Sequence, residues 1–194
     1  MQDLPTERPA ADSVDLGRRR ALKAAICLGT IAIAPVSIAS TTTTLSARNL
    51  ALVNMHTGES LEITYFDGDD YIPAALRRVN ELMRDHRAEQ VHNMSTVLLD
   101  ALHDLRTNIG ADQPFQLLSG YRSPQTNAML RSKRAGVAKC SYHMQGLAAD
   151  IRLQGFKLSA VRKQALALKA GGVGYYPKSG FIHVDVGPVR AWRG

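Results

Sequence analysis

Cysteine is scarce in this sequence, with two residues, Cys27 and Cys140, among 194. Cys27 lies within an apolar N-terminal run that we expect to be removed, which leaves no partner for a disulfide in the mature chain. A lone cysteine with a histidine partner could act as the nucleophile of a thiol protease. For Cys140 we favour the simpler interpretation of a small, buried side chain.

A membrane-spanning run is also missing from the N-terminus, because the apolar stretch 24–39 falls short of about 20 residues. It follows the basic segment 17–23 and ends in small residues, which is typical of an export signal cleaved near Ala39. Arg18 and Arg19 resemble the twin-arginine signal, although Ala21 stands where an aromatic residue is more usual. An ordinary Sec signal and an uncleaved anchor are the alternatives.

These features predict a signal peptide at 1–39, a small polar linker at 40–47 and one catalytic domain at 48–194. The signal predicts contact with the export machinery and a periplasmic location. The formal net charge of +7 is compatible with an anionic partner. Nucleic acid is not the expected partner, because no nucleic-acid-binding module is recognisable and the chain is exported. The sequence leaves the oligomeric state open.

Strand and helix patterns alternate irregularly along the rest of the chain. Apolar runs on both sides of the turn 56–59 predict a β-hairpin, in which His56 is a turn residue. Apolar residues at helical spacing predict helices from Pro73, from about Ser95 to Gly110, from Ser123 to about Arg131 and over 158–169. Further strands are predicted at 115–118, 148–153, 173–176 and 181–186. We therefore predict an α+β fold with a largely antiparallel sheet.

Polar residues interrupt two of these strands on one face. Alternation in 181–186 puts Ile182 and Val184 on one face and His183 and Asp185 on the other. In 148–153, Ala149, Ile151 and Leu153 share an apolar face, and Asp150 lies on the opposite face. If both apolar faces meet the same core, Asp150 and His183 emerge on the same side of the sheet. His143 precedes these strands, between Ser141 and Gly146, in a segment that could form a tight loop.

Two imidazoles and one carboxylate make a three-ligand site suited to Zn²⁺, with one position open for water. A metal lowers the pKa of water and polarises a carbonyl, so that hydrolysis needs no covalent intermediate. A carboxylate must still take the water's proton, and Asp185 is our candidate for this general base. Each residue taken alone also has a structural explanation, as a core histidine, a buried cap or a loop residue.

Three motifs occur in an order that resembles a known superfamily: Ser119-Gly120-Tyr121-Arg122-Ser123, then Ser141-x-His143-x-x-Gly146-x-Ala148-x-Asp150, then His183-x-Asp185. They look like the zinc D,D-peptidases, which include D-alanyl-D-alanine carboxypeptidases and dipeptidases. Within that superfamily, residues 48–192 resemble the exported YcbK-like (MepK-like) murein endopeptidases.

The resemblance implies a zinc D,D-peptidase (hedgehog-like) fold and one Zn²⁺ per chain, held by His143, Asp150 and His183. It also implies that Arg122 binds a substrate carboxylate or stabilises the oxyanion, with Ser119, Tyr121 and Ser141 as further substrate-binding residues. Many members carry a glutamate three residues before the last histidine, where this chain has Gly180.

The implied activity is hydrolysis of peptide cross-links in peptidoglycan. The alternatives are a D,D- or L,D-carboxypeptidase that trims stem peptides, and a peptidoglycan-binding module that has lost catalysis.

Overall fold

The computed structural model describes residues 46–133 and 136–194, so the predicted signal peptide and most of the predicted linker lie outside the described residues. The described residues form seven strands, four α-helices and one short 3₁₀ helix. In chain order these are β1 (Arg48–Asn54), β2 (Ser60–Phe66), α1 (Pro73–Leu82), α2 (Thr96–Ile109), β3 (Phe115–Ser119), α3 (Pro124–Lys133), the 3₁₀ helix (Tyr142–Gln145), β4 (Ala148–Leu153), α4 (Leu158–Leu168), β5 (Gly172–Tyr176), β6 (Phe181–Asp185) and β7 (Arg190–Arg193).

All seven strands belong to one sheet with the order β2-β1-β3-β4-β6-β5-β7. The pairs β1–β2, β3–β4, β4–β6 and β5–β6 are antiparallel, whereas β1–β3 and β5–β7 are parallel. The predicted α+β class with a largely antiparallel sheet is therefore confirmed. The strand β7 was not predicted, because four residues after a proline are too short to show a strand pattern.

Local sequence explains where the helices begin and end. The Oγ of Ser123 accepts a hydrogen bond from the backbone N–H of Thr126 at 3.1 Å and so caps the start of α3, as predicted. Gly110 adopts a left-handed conformation with φ of 69° and ends α2. The predicted helix over 158–169 ends one residue early, because Lys169 itself turns left-handed. His56 lies in the turn between β1 and β2, as expected.

The apolar core lies between the sheet and the helices α1, α2 and α4. Leucines of α2 pack with residues of the central strands, and Leu98, Leu102, Phe115, Ile151 and Ile182 are all completely buried. Because the helices cover this face of β4 and β6, the polar residues of both strands occupy the opposite face. Within the described ranges, no helix combines the length and the apolar character that a bilayer span requires.

Candidate metal centre

Antiparallel pairing of β4 and β6 brings the first two candidate ligands together. Asp150 pairs directly with His183 across the two strands. Their neighbours Ala149, Ile151 and Ile182 have no exposed surface and belong to the core. The carboxylate of Asp150 and the imidazole of His183 therefore project from the same face of the sheet, as the alternation in the sequence predicts.

The third candidate ligand, His143, lies in the 3₁₀ helix that precedes β4. Its Nδ1 donates a hydrogen bond to the backbone oxygen of Gly120 at 2.7 Å. Gly120 approaches the backbone of Met83 so closely that an added Cβ would lie 2.4 Å from the Met83 oxygen. Gly146 ends the 3₁₀ helix in a left-handed conformation with φ of 68°. The glycines of both motifs thus fix the position and the tautomer of His143.

The three side chains converge on one point. His143 Nε2 lies 3.2 Å from His183 Nδ1 and 3.2 Å from Asp150 Oδ1, and His183 Nδ1 lies 2.9 Å from Asp150 Oδ1. All three residues are buried, and their ligand atoms lie within 4.8 Å of one another. Two imidazole nitrogens and one carboxylate oxygen so arranged can bind one metal ion.

Burial and mutual contacts shift the pKa values of all three groups. Burial raises the pKa of Asp150, but the contacts with His143 and His183 outweigh it and hold this pKa well below its usual range. Burial lowers the pKa of His143, which favours the neutral, ligating form. At His183 burial also lowers the pKa, but hydrogen bonds to Asp150 and Asp185 outweigh it and raise the pKa to about 9. A metal would therefore displace a proton from His183.

Asp185, our candidate for the general base, lies behind His183 instead of facing the ligand atoms. Its Oδ2 accepts a hydrogen bond from His183 Nε2 at 3.0 Å, and its Oδ1 accepts bonds from the backbone N–H groups of Gly172 and Gly187. Arg190 contacts both oxygens, and the side chain of Asp185 has no exposed surface. This carboxylate has no direct path to a water or a substrate at the metal centre, so the geometry does not support the predicted base role.

Arg122 borders the ligand cluster on the side of Asp150. Its Nη2 lies 3.4 Å from Asp150 Oδ2 and donates to the Oγ of Ser119 at 3.2 Å. Burial lowers the pKa of Arg122, although the Asp150 carboxylate opposes this shift. Arginine nevertheless keeps its charge in proteins. A fixed cation therefore lies beside Asp150, the one carboxylate among the three candidate ligands.

The remaining predicted substrate-binding residues do not all come together. Ser141 lines the groove that contains the ligands, whereas Ser119 contacts Arg122. Tyr121 stacks on His92 with ring centroids 4.6 Å apart and is not among the described groove residues.

Cys140 is exposed, so our expectation of a buried side chain was wrong. It lies in the irregular segment 136–141, directly before the 3₁₀ helix.

The groove has a volume of about 670 Å³ and extends well beyond the three ligands. Its walls include Tyr142 and Phe181, together with Arg190, Trp192 and Arg193 from the unpredicted strand β7. These β7 residues were not predicted as part of the site. The available signal was the period-two placement of Arg190 and Trp192, which is weak over only four residues.

Comparison with known proteins agrees with this geometry. The family model Peptidase_M15_2, described as peptidoglycan L,D-endopeptidase MepK, matches residues 42–192. This chain belongs to that family. It is 45% identical to the peptidoglycan L,D-endopeptidase MepK of Escherichia coli strain K12 over 182 residues, which cover 93% of this chain and 100% of the relative. It is 43% identical to the probable peptidoglycan L,D-endopeptidase MepK of Haemophilus influenzae over 183 residues, which cover 93% and 98%.

Membership in the Peptidase_M15_2 family confirms the resemblance drawn from the three motifs. It identifies the chain as a metallopeptidase and favours an enzyme over a binding module that has lost catalysis. The His143, Asp150 and His183 cluster is where the described residues can hold the metal.

Proposed function

We propose that this protein is a zinc-dependent endopeptidase that hydrolyses peptide cross-links in peptidoglycan. The observation that carries the proposal is the convergence of His143 Nε2, His183 Nδ1 and Asp150 Oδ1. The names of the E. coli and H. influenzae relatives support the substrate class and the endopeptidase reaction.

The spacing of these atoms fits zinc. Ligands about 2.0–2.1 Å from a tetrahedral ion lie roughly 3.3 Å from one another. The three observed separations are 3.2, 3.2 and 2.9 Å. Each imidazole also donates its other N–H to an oxygen, at Gly120 or at Asp185, so both free nitrogens point towards the same centre. Zinc bound here would lower the pKa of water and polarise the scissile carbonyl.

The side chains around the ligands have separate roles in this proposal. The Arg122 guanidinium stabilises negative charge that develops on the carbonyl oxygen, or binds a peptide carboxylate. Asp185 keeps a proton on His183 Nε2, so that Nδ1 is the nitrogen that faces the metal position. Among the described residues that line the groove, Asp150 is the only carboxylate, and it faces the two imidazoles. We therefore propose that Asp185 supports His183, and that it does not take the water's proton as we first expected.

The groove offers space for a peptide segment. Its volume of about 670 Å³ lies within the roughly 300–1,000 Å³ that ligand sites in proteins usually offer. The cationic side chains of Arg122 and Arg193 complement the carboxylates of muramyl peptides. We place the enzyme in the periplasm, exported by the twin-arginine signal that the sequence of residues 1–39 indicates.

Digestion of purified sacculi tests the proposal. We expect the zinc-loaded protein to convert cross-linked muropeptides to uncross-linked ones, and a chelator or His183→Ala to abolish this conversion, because two ligands hold zinc poorly. His103→Ala is the matched control, since this histidine bonds to Asn49 of β1, away from the metal centre. Release of terminal amino acids alone would indicate a carboxypeptidase. Binding to sacculi without cleavage or bound zinc would indicate a binding module.

A further inference from the structure

Strand β7 supplies no metal ligand, yet one of its side chains reaches the residue behind the metal centre. The Arg190 guanidinium donates through Nη1 to Asp185 Oδ1 at 3.0 Å and through Nη2 to Asp185 Oδ2 at 2.7 Å. The same Oδ2 accepts the hydrogen bond from His183 Nε2. Arg190, Asp185 and His183 therefore form a continuous chain that ends at the predicted metal position.

Two aromatic rings hold the Arg190 guanidinium in place. It lies 5.2 Å from the ring centroid of Tyr142 and 5.0 Å from that of Trp192. Both rings adjoin the metal centre, because Tyr142 directly precedes His143 and the Trp192 ring lies 5.2 Å from the His183 ring. Cation–π contacts of this kind fix a guanidinium within a plane. Arg190 thus links β7 to the segments that carry both histidines.

The backbone leaves room for this stack at three glycines. An added Cβ at Gly172 would lie 2.5 Å from Arg190 Nη1 and from Asp185 Oδ2. At Gly174 it would lie 2.6 Å from the Trp192 ring, and at Gly187 it would lie 2.5 Å from the Tyr142 ring. Any side chain at these positions would displace a member of the stack. The backbone around Arg190, Trp192 and Tyr142 therefore requires glycine at these three positions.

We propose that Arg190 is a positioning residue that holds the Asp185 carboxylate in register with His183 and thereby sets the affinity of the centre for its metal. The inference rests on the proposed function only in taking zinc as that metal. Asp185 is fully buried, so without Arg190 its charge would lose its only cationic partner other than the imidazole among the described residues. Without that two-point contact the Asp185 carboxylate could turn, and His183 would lose the hydrogen bond that orients it towards the metal.

Arg190 could instead serve the substrate, because its side chain remains 40% exposed in the groove. Both ends of its fork are already engaged by Asp185, and a third bond joins Nη1 to the Pro188 backbone oxygen at 2.9 Å. These bonds favour a role for Arg190 in positioning Asp185 over a role in binding a peptide substrate. A positioning role predicts that loss of Arg190 weakens metal binding without substrate, whereas a substrate-binding role predicts unchanged metal binding.

Zinc affinity of Arg190→Ala, measured by competition with a chromogenic chelator, separates the two roles. We expect a loss of about 10–100-fold, which is usual when the partner of a ligating histidine is disturbed. Arg190→Lys should lie between Arg190→Ala and the wild type, because lysine keeps the charge and loses the two-point fork. Arg78→Ala is the control, since Arg78 is exposed on α1, far along the chain from the centre. Circular dichroism of the zinc-free proteins reports folding.

Two further measurements complete the test. The visible spectrum of the Co²⁺-loaded Arg190→Ala protein should differ from the wild-type spectrum, and added guanidinium ion should restore part of the affinity by entering the space between the two rings. Zinc affinity within twofold of wild type in both variants, with activity lost, would overturn the proposal and assign Arg190 to substrate. If Arg190→Ala does not fold, Arg190→Lys decides. The zinc affinities and the Co²⁺ spectra do not use peptidoglycan, so they test Arg190 even if the proposed substrate is wrong.

Discussion

Replacing Asp185 by asparagine distinguishes a general base from a residue that orients His183. The side chain keeps its shape but loses its charge and one acceptor. Oδ1 receives three donors, from Gly172, Gly187 and Arg190, so the amide oxygen should occupy that position. The amide NH₂ then takes the place of Oδ2 and faces His183 Nε2. Two donors cannot face each other, so His183 must move its proton to Nδ1, which is the atom that would bind the metal.

The size of the effect follows from this change of tautomer. We expect Asp185→Asn to weaken zinc binding by about 10–100-fold, which corresponds to about 1.4–2.7 kcal/mol. The zinc-free protein should also lose stability. Breaking a buried ion pair costs roughly 3–5 kcal/mol, and we expect the lower end because Arg190 stays partly exposed.

Chelator competition for zinc and urea denaturation of the zinc-free protein measure both quantities. Asp104→Asn is the matched control, since Asp104 is exposed on α2 and outside the site. Unchanged zinc affinity with a large loss of rate would refute our reasoning and return Asp185 to the role of general base. An unchanged rate as well would remove it from the mechanism.

Three further predictions concern protons and thiols. Because the pKa of His183 is raised to about 9, zinc binding at pH 7 should release one proton from it, and affinity should rise about tenfold per pH unit up to that value, as calorimetry in two buffers would show. Hydrogen bonds from Arg48 and Tyr71 outweigh burial and lower the pKa of Asp100, so its contribution to stability should be complete above about pH 4 and lost as pH falls through the lowered value. Asp100→Asn should therefore cost about 1.5–3 kcal/mol at pH 7 and less at pH 2 in urea denaturation. Cys140→Ser should leave hydrolysis of sacculi within about twofold of wild type, and a large loss would revive the thiol-protease interpretation.

The arrangement of Asp150 and His183 could be predicted because it depends on local rules. Alternation along a strand assigns each side chain to a face, and the apolar neighbours Ile151 and Ile182 mark the face that is buried. The helices α1 and α2 were likewise predictable from apolar spacing and from Pro73 and Gly110 at their ends.

The environment of Asp185 could not be predicted, because its partners come from separate segments. Alternation correctly put Asp185 on the face of His183, but it does not show that Gly172, Gly187 and Arg190 enclose the carboxylate. The same limit applies to β7, whose four residues form a strand only because β5 offers an open edge. Tertiary contacts decide both features, and a single strand pattern contains no information about them.

The distance between a bound metal and its three ligands tests the central claim most directly. Crystals of the zinc-loaded protein, measured at the zinc absorption edge, should show one anomalous peak at about 2.0–2.2 Å from His143 Nε2, His183 Nδ1 and an oxygen of Asp150. Stoichiometric zinc at any other position, or a peak that contacts only one of these residues, would contradict the account.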